Sequence, residues 1–335
     1  MKKSGKGRIE GIMMDEFMQR VITDRIGMAL EEDLGGVGDV TTNAIKPVSQ
    51  IAMAKIVSKG EGILCGMDCV REVFYQLDSD IKFPTVLEDG QEIRQGTVVL
   101  EVKGNYTALL KGERTALNFL AHLSGIATMT HKAVMAVKGT GVEILDTRKT
   151  TPGLRLLEKY AVQVGGGKNH RFGLFDQYLI KENHIQAAGG ITKAVQAVRK
   201  HLEKAGKTMT WIPQSAHAEA LGRLVIIEVE VRNLLEVREA LECGVDCMLL
   251  DNMTNQEIRE AVKIIKKLQV TSSKLQERSP IRRSKILQNR KVRVEISGGV
   301  TLEQLPKLAK LGVDAISMGS LTHSAPAHDF SMLLT

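Results

Sequence analysis

A repeated unit in the second half of the chain constrains its fold more than any other feature. Residues 235–248 run from Leu-Glu to Cys-Gly-Val-Asp-Cys-Met, and residues 302–316 run from Leu-Glu to Leu-Gly-Val-Asp-Ala-Ile. Each copy predicts a helix that is closed by glycine and followed by a buried strand. We predict apolar strands of this kind at 143–146, 178–181, 225–231, 247–251, 292–296 and 314–318. Repeated β-α units favour a parallel α/β barrel.

The first part of the chain has a different pattern. Residues 50–111 predict short strands joined by glycine-bearing turns, with one helix near Asp68–Leu77. Helical spacing of apolar residues predicts further helices at Asp15–Glu32 and Thr115–Val137. An α+β unit on a small antiparallel sheet is therefore expected before the barrel.

These patterns divide the chain into domains. We place an α/β sandwich domain at 13–113, a barrel domain at 114–320, and at 321–335 a C-terminal segment that packs back on the sandwich domain. Residues 1–12 are basic, glycine-rich and without periodicity, which predicts a disordered tail. Residues 202–223 and 268–291 are long for loops inside a barrel, so we interpret both as insertions.

Composition excludes several classes of protein. Of the 335 residues, 43% are hydrophobic and 25% are charged, a balance that lets a globular chain bury a sizeable core. No apolar run approaches the 18 residues or more of a membrane span. The four cysteines form two Cys-x3-Cys pairs, whereas metal knuckles usually have a two-residue gap. We therefore predict structural thiols and a reducing, cytoplasmic location.

The positive charge is concentrated in one segment. The net charge is +7, yet eleven basic residues lie between Lys263 and Arg293 against the single acid Glu277. This stretch contains no interleaved aromatic residues, which a nucleic-acid surface would be expected to carry. The pattern favours a solvated insertion over a nucleic-acid or membrane surface.

Polar residues follow every predicted barrel strand, where barrel enzymes place their working groups. They are, in chain order, Thr147, Arg148 and Lys149; Lys181; Glu228 and Glu230; Asp251; Ser297, Gly298 and Gly299; and Gly319 and Ser320. The cations among them, together with His170, Arg171 and His184, predict a multiply anionic substrate, because arginine suits carboxylates and lysine suits phosphates. For any single cation, a surface salt bridge is an equal alternative.

Two acids and two glycine elements extend this prediction. Glu230 and Asp251 end adjacent strands, and two carboxylates beside phosphates suit Mg²⁺, although pairing with lysine or arginine is the alternative. The elements Ser297-Gly298-Gly299 and Gly319-Ser320 could hold a phosphate through backbone N–H groups, or could be turns. No serine or cysteine has a convincing adjacent base, so the site is expected to act by positioning and electrostatics.

Nine short motifs carry a family resemblance. They lie at 38–42, 112–118, 146–153, 168–171, 181–184, 228–231, 250–252, 297–300 and 319–324, and the most specific are Thr-Arg-Lys-Thr at 147–150 and Asn-His-Arg at 169–171. From about residue 14 to 334, apart from the two insertions, the chain resembles the quinolinate phosphoribosyltransferases. The resemblance implies an open-faced α/β sandwich followed by an incomplete parallel α/β barrel, the type II phosphoribosyltransferase fold.

The resemblance also implies roles for individual residues. Arg148, His170, Arg171 and Lys181 resemble the pocket for the two carboxylates of quinolinate. Arg114 resembles an arginine that enters this pocket from the neighbouring subunit, which implies a homodimer. Lys149 resembles a ligand of phosphoribosyl pyrophosphate, and Glu230 and Asp251 resemble the residues that serve its ribose and Mg²⁺; these three are the expected catalytic residues. The implied substrate contacts also include Thr147, Ser297, Gly298, Gly299, Met318, Gly319 and Ser320.

The implied reaction transfers phosphoribosyl to quinolinate with decarboxylation, giving nicotinate mononucleotide, pyrophosphate and CO2. Two alternatives remain open. A paralogous enzyme of the same fold could act on another base such as nicotinate, although the surplus of cations favours a dicarboxylate. A non-catalytic relative could bind nucleic acid through residues 263–293.

Overall fold

The computed structural model describes residues 6–45, 50–205, 226–275 and 292–334. The described helices, in chain order, are α1 (Lys6–Leu34), α2 (Val40–Ile45), α3 (Met67–Leu77), α4 (Tyr106–Ala136), α5 (Arg155–Val164), α6 (Glu182–Ala188), α7 (Ile191–Ala205), α8 (Leu234–Glu242), α9 (Asn255–Leu275), α10 (Leu305–Leu308) and α11 (Ser320–His323). The described strands are β1 (Ile51–Ser58), β2 (Gly62–Ile63), β3 (Lys82–Val86), β4 (Glu92–Ile93), β5 (Val98–Asn105), β6 (Glu143–Leu145), β7 (Tyr178–Ile180), β8 (Ile227–Val231), β9 (Cys247–Asp251), β10 (Arg293–Ser297), β11 (Ala315–Ser317) and β12 (Phe330–Leu334).

The described chain separates into two compact units. The first contains residues up to 131 together with 150–166 and 321–335, and the second contains residues 132–149 and 167–320. The boundary that the sequence placed at 113 therefore lies inside α4, which continues without a break and buries Leu117 and Leu120 beyond that point. A continuous buried face gives the helix no reason to end there.

The first unit is built on a four-stranded antiparallel sheet in the order β12-β1-β5-β3. Burial alternates at the end of β1, where Ala54, Ile56 and Ser58 are buried, so one face of the sheet meets the core. Most of β3 is exposed, which leaves the sheet open-faced. The C-terminal segment joins this sheet through β12, whose Leu333 pairs with Lys55 of β1.

Three boundary predictions differ from the structure. The first helix begins at Lys6, so residues 6–12 are helical rather than part of an unstructured tail. Helix α7 continues through Ala205 and α9 through Leu275, so both reach into the predicted insertions at 202–223 and 268–291. The rest of the first insertion, and residues 276–291 of the second, lie outside the described residues.

The second unit is built on a six-stranded parallel sheet in the order β6-β11-β10-β9-β8-β7. Strands β7 to β11 lie side by side in the order in which they occur in the chain, and β6 pairs with β11. This is the strand order of a barrel that is open between β6 and β7. At the open edge, β6 makes one parallel bridge, between Leu145 and Lys168, and the chain then leaves the sheet. The predicted incomplete parallel α/β barrel is confirmed.

The repeated unit of the sequence has a structural role beyond its helix and strand. Its Gly-Val-Asp element ends in Asp246 in one copy and Asp314 in the other. Asp246 Oδ2 accepts a hydrogen bond from the backbone N–H of Ile227 at 3.0 Å, and Asp314 Oδ2 accepts one from Val294 at 3.0 Å. Each aspartate therefore satisfies a donor at the start of the strand before its own.

We expect Asp246→Ala to lower the free energy of unfolding by about 1–3 kcal/mol, because it leaves the buried Ile227 N–H without its acceptor. Urea denaturation of the full chain measures this change. Glu242→Ala, at an exposed position of α8, is the matched control and should change stability by less than about 0.5 kcal/mol. Equal losses in both variants would contradict the role of Asp246.

Candidate active site

The strands of the open barrel are parallel, so their carboxyl ends meet at one edge of the sheet. The predicted site residues that follow barrel strands lie at this edge: Thr147, Arg148 and Lys149 after β6, Lys181 after β7, Glu230 in β8, Asp251 at the end of β9, Ser297 at the end of β10, and Met318 and Gly319 after β11. The sheet therefore gathers residues that are far apart in sequence.

Two arginines form the cationic part of the site. Arg171 is 5% exposed and donates from Nη1 to the backbone oxygen of Gln177 at 3.3 Å. Burial lowers the pKa of its guanidinium, and the positive charge of Arg148 lowers it further. The negative charges of Glu228 and Asp176 act in the opposite direction and raise this pKa. Arg148 has a buried Nε with no hydrogen-bond partner among the described residues. Two neighbouring cations with a spare buried donor are chemically suited to an anion.

Buried Asp146, the first residue after β6, fixes the element that carries Arg171. Its Oδ2 accepts from Asn169 Nδ2 at 2.6 Å, and its Oδ1 accepts from the backbone N–H of His170 at 2.8 Å. Asp146 is fully buried, and buried carboxylates persist only when such donors satisfy them. The aspartate therefore ties the Asn-His-Arg element to the end of β6.

His170 contacts protein groups with both ring nitrogens. Its Nδ1 accepts from the backbone N–H of Arg171 at 2.8 Å, and its Nε2 lies 3.1 Å from Glu228 Oε2 and 3.7 Å from Glu295 Oε2. The side chain is 6% exposed. The structure thus places His170 among the predicted residues but turns its nitrogens towards the protein.

Lys181 and Glu230 form an ion pair at the ends of neighbouring strands. Lys181 Nζ lies 3.5 Å from Glu230 Oε2, and half of the lysine side chain is exposed. His184 Nδ1 accepts the backbone N–H of Lys181 at 3.0 Å, which fixes the start of α6. Asp251 pairs in register with Ser297 one strand further along. Glu230 and Asp251 thus lie on adjacent strands, as the sequence predicted.

The glycine element after β10 depends on a close approach of two loops. Gly298 has φ +100°, and a Cβ there would lie 2.2 Å from Asn252 Oδ1. The Asn252 backbone N–H donates to Ser297 O at 3.2 Å, which holds the two loops together. A Cβ on the next residue, Gly299, would meet open space, and Gly299 is exposed. Only glycine fits the first position.

The remaining predicted residues have varied surroundings. Lys149 is exposed, and its backbone N–H donates to Thr147 Oγ1 at 3.0 Å. Met318 is 1% exposed, so its side chain belongs to the core, while Gly319 and Ser320 are partly exposed before and at the start of α11. Arg114 lies on α4 in the first unit, and it is exposed.

Sequence reasoning missed a buried cluster of titratable side chains beside the predicted site residues. Within the described residues, one group of three side chains could hold a metal ion, formed by His170, Glu228 and Glu295, with ligand atoms within 4.8 Å of one another. It contains neither Glu230 nor Asp251. A signal was present, because Glu228 and Glu295 each lie between two apolar residues inside a strand, where an acid must be paired or hydrogen-bonded.

Family comparisons agree with this architecture. A model of the quinolinate phosphoribosyl transferase C-terminal domain matches residues 126–333, and a model of the N-terminal domain of the same family matches residues 39–124. The chain belongs to the quinolinate phosphoribosyltransferase family. The join between the two matches lies inside α4, close to the division between the compact units.

Individual relatives give the same picture. A probable nicotinate-nucleotide pyrophosphorylase [carboxylating] of Bacillus subtilis is 40% identical over 91% of this chain and 90% of its own length. A mitochondrial quinolinate phosphoribosyltransferase [decarboxylating] of Nicotiana tabacum is 38% identical over 91% of this chain and 80% of its own. Among solved structures, the nicotinate-nucleotide pyrophosphorylase from Francisella tularensis has a TM-score of 0.78 at 36% identity, covering 95% of this chain and 97% of that one.

Proposed function

We propose that this chain transfers phosphoribosyl from phosphoribosyl pyrophosphate to quinolinate with decarboxylation, giving nicotinate mononucleotide, pyrophosphate and CO2. The observation that carries the proposal is the buried, unpartnered Nε of Arg148 beside the buried guanidinium of Arg171. A planar substrate with two carboxylates supplies acceptors for both guanidinium groups, which bind carboxylates through paired N–H donors. The names of the relatives support the same substrate and reaction.

The chain's own residues position the reactants. The two arginines would hold the carboxylates, so that the ring nitrogen of quinolinate faces C1 of the ribose. Lys149, exposed after β6, would contact phosphoribosyl pyrophosphate, and the backbone around Gly298 and Gly299 would receive its 5′-phosphate. Gly319 and Ser320 would complete the phosphate contacts. Holding two reactants in line lowers the barrier without a protein nucleophile.

We further propose Mg²⁺ as the cofactor, held by Glu230 and Asp251. These residues fit the ion, because they supply carboxylate oxygens from adjacent strands at the edge where the phosphates would lie. When bound, the ion would neutralise charge that develops on the leaving pyrophosphate. The Lys181 ammonium, 3.5 Å from Glu230, would balance the acid and attract the anionic substrates.

The assembly and location are also proposals. We propose a homodimer in which Arg114 of one chain reaches the barrel site of the other, supported by the exposure of Arg114 and by the resemblance of its motif. Among the described residues, no helix combines the length and apolar character that crossing a membrane requires. We propose a cytoplasmic location, which the four free cysteines support.

A steady-state assay with quinolinate, phosphoribosyl pyrophosphate and Mg²⁺ tests the function. We expect equal amounts of nicotinate mononucleotide and CO2, and at least about a hundredfold lower kcat/KM when nicotinate replaces quinolinate, since one carboxylate is then missing. Comparable rates with nicotinate would favour the paralogue. The human nicotinic acid phosphoribosyltransferase structure shares the fold alone, at 14% identity and a TM-score of 0.56.

Glu230→Gln should raise the Mg²⁺ concentration needed for half-maximal rate.

A further inference from the structure

A buried hydrogen-bond network lies behind the two arginines, and it centres on Glu228 of β8. Glu228 is fully buried, and its Oε2 accepts from Gln177 Nε2 at 2.5 Å and faces His170 Nε2 at 3.1 Å. Gln177 is also buried, at 3% exposure. One oxygen of Glu228 thus contacts both His170, directly before Arg171, and Gln177, at the end of the loop that follows Arg171.

The bonds at His170 define what its ring can do. Because Nδ1 accepts the backbone N–H of Arg171, the ring proton lies on Nε2, and Nε2 therefore donates to Glu228. Both nitrogens are then used inside the protein. In this arrangement His170 links Glu228 to the backbone of Arg171 rather than presenting a nitrogen to a substrate.

A second path runs from Glu228 to the side chain of the same arginine. Gln177 donates to Glu228 through its side chain and accepts Arg171 Nη1 through its backbone oxygen, at 3.3 Å. The charge of Glu228 also raises the pKa of Arg171 against the effects of burial and of Arg148. The backbone and the guanidinium of Arg171 are both tied to this one acid.

We infer that Glu228 is a positioning residue that holds Arg171 in the orientation that binds a substrate carboxylate, acting through His170 and Gln177. The inference rests on the proposed function, because quinolinate is the ligand that Arg171 would bind. Glu228 lies beneath the site and is not a catalytic residue, and Glu230, two positions later in the same strand, has a different partner.

The same residues could instead hold a metal ion together with Glu295. The hydrogen bonds favour the positioning role, because His170 and Gln177 both aim N–H donors at the Glu228 oxygen. A cation bound by His170 would have to displace the proton on Nε2, and the hydrogen bond from that nitrogen to Glu228 would be lost.

The test compares Glu228→Gln with Glu295→Gln, which removes an equally buried charge whose carboxylate is 3.7 Å from His170, beyond hydrogen-bond distance. We expect Glu228→Gln to raise the KM for quinolinate at least about tenfold while the KM for phosphoribosyl pyrophosphate changes less than about threefold. Glu295→Gln should change both constants less than about threefold. Titration calorimetry with quinolinate should show the same difference in Kd.

A double-mutant cycle with Arg171→Lys tests the route. In the Arg171→Lys background, Glu228→Gln should raise the KM for quinolinate less than about threefold, because the group it positions is already gone. If Glu228→Gln does not fold, Gln177→Leu removes one of the two donors and should raise the same KM at least about threefold.

Each result decides between the possibilities. Unchanged quinolinate affinity in Glu228→Gln, equal losses in both glutamine variants, or additive effects with Arg171→Lys would overturn the inference and leave the proposed function standing. A stoichiometric metal in the purified wild-type chain that is lost in Glu295→Gln would replace it by a metal site. A wild-type chain that does not bind quinolinate would overturn the proposed function, and this inference with it.

Discussion

Arg148→Ala and Arg171→Ala should each weaken quinolinate binding by at least about thirtyfold, because removing one partner of a desolvated charged contact costs about 2–5 kcal/mol. Each guanidinium is expected to grip one carboxylate, and the buried Nε of Arg148 has no described protein partner to compensate. Titration calorimetry with quinolinate measures the loss. Burial and the charge of Arg148 both disfavour the charged form of Arg171 when no ligand is bound. Removing either arginine should therefore leave the chain folded.

A matched control is Arg232→Ala, since Arg232 also follows a barrel strand but is exposed and paired with Glu182 and Glu236. Its quinolinate affinity should remain within about twofold of wild type, because surface ion pairs contribute little. Thermal unfolding of all three variants checks that they fold. If Arg148→Ala and Arg171→Ala both bind quinolinate as the wild type does, the assignment of the pocket is wrong.

The second large effect concerns the proposed dimer. Arg114→Ala and Lys181→Ala chains should each be inactive alone, yet a mixture should recover about a quarter of wild-type activity. Statistical exchange makes about half of the dimers mixed, and each mixed dimer has one of two sites intact if Arg114 acts in the partner's site. The recovered activity is measured after the chains are mixed and incubated.

Subunit exchange needs its own measurement, for which a tagged chain recovered with an untagged one suffices. A mixture of Arg148→Ala with Lys181→Ala is the control. These two residues lie in the same barrel unit, so each site of a mixed dimer still carries one damaged residue, and this mixture should recover no activity even when subunits exchange. If the Arg114 mixture recovers no more activity than this control although subunits exchange, Arg114 serves its own chain.

Local patterns predicted the barrel strands well. Predicted and observed strands agree within two residues at each end, because a buried parallel strand is a short apolar run bounded by glycine or charge. The start of α4 was predicted nine residues too late. Asn105 accepts the backbone N–H of Thr107 at 2.9 Å and so caps the helix, but Gly112 inside its first turns hid the helical pattern. Gly112 packs against Phe74, a contact that sequence alone does not reveal.

For the candidate site too, local sequence patterns revealed some residues, whereas other roles depend on tertiary contacts. The strand-end rule found Lys181, Glu230 and Asp251, because it depends only on where strands end. The same rule named Glu228 but gave it no role, because that role depends on His170 and Gln177, some fifty residues earlier in the chain. A pattern of alternation shows that a residue faces the barrel interior but not which donors meet it there.

The open edge of the barrel at β6 gives the segment that carries Arg171 a place beside the sheet. In a closed barrel, the position beside β6 is filled by a strand whose backbone is committed to its neighbours on both sides. Here one bridge, between Leu145 and Lys168, holds the chain at that edge, and the three residues that follow are Asn169, His170 and Arg171. In the described part of the chain no further strand closes the wall between β6 and β7, and a short irregular segment with cationic and polar side chains lies beside β6 instead. The incompleteness of the sheet is therefore what makes room for the arginine.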